Sequence, residues 1–104
     1  MLKRRYEILL PLKHNDGRPI DDDKFNQTRE QLVETFDAVS FHPESIRGIW
    51  VHEGTCYEDT LVRLAVDVED TPENRQFFTD FKQTLLQRFE QIEIYIASFP
   101  VDIL

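Results

Sequence analysis

One cysteine in 104 residues leaves Cys56 without a partner, which excludes an internal disulfide and any multi-cysteine zinc site. Glycine is scarce too: the three present, Gly17, Gly48 and Gly54, lie too far apart to build a phosphate-cradling loop. No serine stands in a G-x-S-x-G elbow. No apolar run approaches the roughly 18 residues of a membrane-spanning helix. The opening Met1-Leu2-Lys3-Arg4-Arg5-Tyr6 has no long apolar stretch behind it, so a cytoplasmic location is expected. Positive charge is also in short supply, with 12 Lys and Arg against 20 Asp and Glu and a net charge of −8. That balance argues against binding nucleic acid, which depends on neutralising phosphate, and against an anionic membrane surface. His14, His42 and His52 are dispersed, with no pair at ligand spacing, so neither a metal nor another cofactor is expected.

What is present suits one domain over residues 1–104. A chain of this size buries roughly 65% of its unfolded surface without cross-links. Eight Phe, three Tyr and one Trp supply large buried area. An apolar run at residues 6–12 reads as a strand ending near Pro11, whose missing N–H cannot join a ladder. Asn15-Asp16-Gly17 marks a turn. An amphipathic helix follows at 21–36. Asp21 stands at its N-cap, Asp22 and Asp23 face the positive end of its dipole, and Ile20 with Phe25 occupy the staple positions. Phe25, Leu32, Val33 and Phe36 share one face. Residues 37–45, with His42-Pro43, read as an irregular connection. Alternation at 47–53 and 61–68 predicts two strands joined by a hairpin longer than the tightest kind. Thr71-Pro72 then opens a helix carrying Phe77, Phe78, Phe81, Leu85 and Phe89. A last strand at 92–97 is closed by Pro100.

The order strand, helix, strand, strand, helix, strand predicts a ferredoxin-like α+β sandwich. Both helices cover one face of a four-stranded antiparallel sheet, and right-handed crossovers put the first and third strands in the centre. Period-two alternation then sorts side chains by face. Val62, Leu64, Val66 and Val68 form one core row and Ile92, Ile94 and Ile96 another, joined by Ile8, Leu10, Tyr6, Ile49 and Val51. The opposite, uncovered face receives Glu7, Leu9, Trp50, His52, Arg63, Ala65, Asp67, Glu93 and Tyr95. Gly48 falls on the Trp50 side, where a missing side chain allows close approach.

This face is the candidate site. Arg63 on a central strand is expected to pair with Glu7, Asp67 or Glu93. Self-association, as a homodimer with two such faces meeting, is one expectation. A small-ligand pocket is another, with Trp50 and Tyr95 as apolar wall and Arg63, Glu93, Glu7 and Asp67 as polar anchors. Both hold together, because a sheet-to-sheet dimer encloses a cavity. They predict a non-enzymatic protein that self-associates and binds a small ligand or partner protein. One alternative is a small dimeric α+β barrel-type enzyme using His52 as general acid and base. Another is a regulatory module docking through the acidic hairpin around Glu58 and Asp59. Cys56 beside Tyr57, Glu58 and Asp59 lacks the cationic surroundings that activate a thiol. The seven carboxylates between Glu53 and Glu73 match no calcium-loop spacing and read as a solvated edge.

Asn15-Asp16-Gly17 ahead of an acidic helix start, Phe36 at that helix's close, Gly48-Ile49-Trp50, Tyr57-Glu58-Asp59 and Gln91-Ile92-Glu93-Ile94-Tyr95 recur in one order. Together they resemble a group of short, uncharacterised bacterial ferredoxin-like proteins across nearly the whole chain. The resemblance implies the fold and no site or activity. A wider similarity, to dimeric ferredoxin-like domains with face-to-face sheets, concerns topology alone.

Overall fold

A computed structural model describes residues 2–104. The run behind Tyr6 forms β1 (Lys3–Pro11), which pairs antiparallel with both β3 (Thr55–Glu69) and β4 (Tyr95–Val101). With β2 (Ser40–His52) against the far side of β3, the sheet order is β2-β3-β1-β4. The first and third strands are therefore central, and the expected βαββαβ sandwich is present. Two helices, α1 (Asp22–Phe36) and α2 (Pro72–Arg88), complete it.

The core follows the alternation. Ile8 and Leu10 on β1 and Val62, Leu64, Val66 and Val68 on β3 are buried beneath Leu32 of α1 and Phe78, Phe81 and Leu85 of α2. Burying each such side chain is worth about 1.5–3 kcal/mol. Tyr6 stacks on Phe78 with ring centroids 3.9 Å apart. Thr71 caps α2 by accepting a hydrogen bond from the Asn74 amide at 3.2 Å. Asp21 occupies the N-cap of α1 without a side-chain capping bond. The apolar stripe of α1 is narrower than its spacing suggests: Val33 is exposed, and Thr28 is the buried residue instead.

Three boundaries differ from expectation, each for a backbone reason. The segment expected to be irregular is the start of β2, which runs from Ser40 through Pro43 with a register break between His42 and Ile46. As an edge strand, β2 absorbs a proline and an irregularity without losing an inner ladder. β4, the other edge, begins only at Tyr95 and runs on through Pro100. Ile92 consequently lies outside it and is exposed, while Ile94 remains buried. The hairpin between β2 and β3 is of the tightest length: His52 pairs with Thr55 across Glu53 and Gly54. Both turn residues have positive φ, 49° and 79°, the pattern that matches the twist of flanking strands.

The tight turn makes the pair β2–β3 a long arm that outruns the helices. Ile49 and Val51, expected in the core, do point to the helix side but meet no helix there; they are 69% and 68% exposed.

Candidate functional site

Trp50 lies on the open face, in register with Tyr57. Their rings stack at 4.5 Å with an interplanar angle of 18°. The indole Nε1 donates to Asp59 Oδ2 at 2.6 Å, a charge-assisted bond that holds the ring flat along the arm. Gly48 is opposite Asp59 on the same strand pair. A Cβ added there would come within 3.1 Å of Leu61 Cδ1, so the missing side chain lets Leu61 lean over β2. Across the sheet Leu9 pairs with Tyr95, whose ring is largely exposed.

These side chains enclose a cleft of about 280 Å³ with walls from Leu9, Pro11, Trp50, Leu61, Ile94 and Tyr95. Asp59, Gln91 and Glu93 stand at its rim. Neither rim carboxylate is free. Asp59 holds the indole. Glu93 takes Lys82 Nζ at 2.8 Å and also accepts from the Ile94 amide. The Lys82 hydrogen bond, aided by that amide, keeps the Glu93 carboxyl below its usual range against an opposing effect of burial. The cleft is thus a small apolar slot with one stacking wall, at the lower end of ligand-pocket sizes.

Of the residues singled out from sequence, Trp50, Glu93 and Tyr95 come together here. Arg63 is in register with the cleft wall Leu9 but does not line the cleft, and Glu7 and Asp67 lie further along the same face. Asp67 is in register with Arg5 and receives two hydrogen bonds from its guanidinium, at 2.7 and 3.0 Å. Those bonds hold the Asp67 carboxyl below its ordinary range. Arg63 therefore does not pair with Asp67 or Glu93, and its Nε is buried without a hydrogen-bond partner. His52 sits at the far end of the arm, opposite Thr55, with Nε2 3.8 Å from Glu53 Oε1. Glu53 is a turn residue rather than a strand residue, so the two side chains are not forced to opposite faces. Arg63 is eight residues along β3 from Thr55, roughly 26 Å, so His52 and Arg63 are not brought together. Cys56 is exposed on the helix side of the arm. In the acidic hairpin, Glu58 lies 3.8 Å from Arg47.

Sequence reasoning did not place Tyr57, Asp59 or Leu61 at the cleft. All three share the odd-numbered row of Arg63 and Ala65. Extending that row six residues from Arg63 towards the turn would have placed them beside Trp50.

Solved structures similar to nearly the whole chain include two CutA1 proteins. CutA1 from Oryza sativa superposes with a TM-score of 0.65 at 10% identity, covering 99% of this chain and 83% of that one. The divalent cation tolerance protein (Cut A1) from Thermus thermophilus gives a TM-score of 0.64 at 17% identity, covering 97% and 85%. The fold is similar to that of the CutA1 proteins. At such identities the likeness concerns fold alone. No family model matches the chain, and no curated protein does.

Proposed function

We propose that this chain is a non-catalytic module that self-associates through its open sheet face and projecting arm and binds a small ligand in the cleft between them. The observation that carries this is the arm. A two-stranded hairpin is at best marginally stable alone in water, yet this one extends past the helices with Ile49 and Val51 exposed on one side. Its other side presents the Trp50–Tyr57 stack. A second copy laid against the arm and the open face supplies the missing cover, and a twofold pair is the simplest such assembly. The cleft then lies at or within the interface. Among the described residues no three His, Cys, Asp or Glu side chains gather as a metal site would require.

The test is absolute solution mass by light scattering on wild type and Trp50→Ala. A wild-type mass of two or more chains that falls towards one in the variant supports the proposal. A wild-type monomer overturns the self-association.

A further inference from the structure

On the open face, the Arg63 guanidinium has an Nε with no hydrogen-bond partner among the described residues. Arg63 sits at mid-sheet, with Leu9 beside it on β1 and His42 beside it on β2. That nitrogen is also buried. An arginine so placed normally finds a carboxylate, and this chain has 20 acidic residues to offer. The nearby candidates are engaged elsewhere, Asp67 by Arg5 and Glu93 by Lys82. Glu7 stands diagonally across, opposite Ala65, and forms no ion pair among the described residues. A guanidinium N–H taken out of water without a partner is costly, and an oxyanion on the guanidinium offsets that cost.

The same arginine lies next to the cleft walls without being one of them. Leu9 and Leu61 are cleft walls. Arg63 is in register with Leu9 and two residues beyond Leu61, on the same face. At the opposite rim stand the carboxylates of Asp59 and Glu93. Charge therefore runs along the cleft from negative at the arm to positive at mid-sheet. We infer that the cleft takes a small apolar or aromatic acid, its body against Trp50, Leu61 and Tyr95 and its carboxylate on the Arg63 guanidinium. The Asp59 carboxylate, which no cation offsets among the described residues, repels the reversed pose and so sets direction as well as class. A planar carboxylate matches the guanidinium fork in two parallel hydrogen bonds. The limited volume favours one or two fused rings over a nucleotide. This inference rests on the cleft being a binding site, as proposed above, and adds the charge and orientation of what it holds.

The single tryptophan lies in the cleft wall, so its fluorescence reports occupancy. Wild type and Arg63→Gln are titrated with 1-naphthoate and with its neutral isostere 1-naphthamide, with circular dichroism checking the fold. In wild type the naphthoate binds roughly ten- to a hundredfold tighter, the value of a charge-assisted hydrogen bond. In Arg63→Gln the two probes bind alike, at the wild-type naphthamide affinity. Equal binding in wild type, or a preference that survives Arg63→Gln, overturns the role of Arg63 while leaving the cleft standing. Failure of both probes in wild type overturns the cleft itself. Should Arg63→Gln not fold, Arg63→Lys decides. It keeps the charge but not the fork, so a preference reduced but not abolished supports the inference and an undiminished one defeats it.

Discussion

β3 is one strand with two different surroundings. Over its second half, Val62, Leu64, Val66 and Val68 face the helices and are buried. Over its first half, Cys56, Glu58 and Thr60 face the same way and are exposed. Length explains the contrast. A strand of 15 residues spans about 45 Å at its rise per residue, whereas a helix of 17 residues spans about 25 Å. The sheet outruns its cover, and the uncovered part of the hairpin becomes the arm. Alternation therefore states which side a residue takes. It does not state whether anything lies above that side. Ile49 and Val51 look like core residues in sequence for this reason and are surface residues in the fold.

The sharpest way to break this comparison is a matched pair of truncations. Leu64→Ala, in the covered half, is expected to cost about 2–5 kcal/mol through lost burial and a residual cavity. Ile49→Ala, on the arm of the single chain, is expected to stay within about 0.5 kcal/mol. Urea unfolding at low protein concentration measures both. Equal losses would mean that the arm is covered even in the monomer.

A smaller effect sharpens the picture of the covered half. Thr28 is fully buried between the helices; its hydroxyl donates to the Lys24 carbonyl at 2.8 Å and accepts from Arg88 Nη1 at 2.9 Å. Burial lowers the affinity of Arg88 for its proton, so its donors need every acceptor available. Thr28→Val keeps the shape and removes the acceptor, and is expected to cost about 1–3 kcal/mol. Combining it with Arg88→Met should recover part of that loss. Strict additivity of the two changes would show that the bond between α1 and α2 contributes nothing.

Much of the fold was legible because its signals are local. The cap and proline at Thr71-Pro72, the phenylalanine stripe of α2 and the valine row of β3 each state their element unaided, and their order restricts the topology. The side taken by Trp50 was also legible from alternation. The partner of Arg63 was not. Glu7, Asp67 and Glu93 are equivalent choices along the chain, and what separates them is register. β1 begins at Lys3 rather than Tyr6, which brings Arg5 opposite Asp67 and leaves Arg63 without it. Prolines misled in the same way at Pro43 and Pro100, since only the sheet order reveals that both lie on edge strands.

The Arg5–Asp67 pair provides the smallest and most specific test, because it lies on the open face of the half whose other side is covered. Hydrogen bonds from Arg5 lower the carboxyl's affinity for a proton in the folded chain, so the unfolded chain binds the proton more readily. The resulting stability is fully present above the unfolded carboxylate range, near pH 3.9. It is lost progressively as pH falls through that range towards the folded value. About a third of each side chain remains exposed, so solvent screens the pair and its contribution is small. Asp67→Asn should therefore lower the melting temperature slightly at pH 7, and the gap to wild type should narrow as pH falls below about 3.9. The Glu93–Lys82 pair, depressed in the same direction, contributes equally to both proteins and cancels in the difference. A gap that stayed constant with pH would assign the loss to packing rather than to the charge on Asp67. The register that leaves Arg63 unpartnered would then have no energetic support from its neighbour.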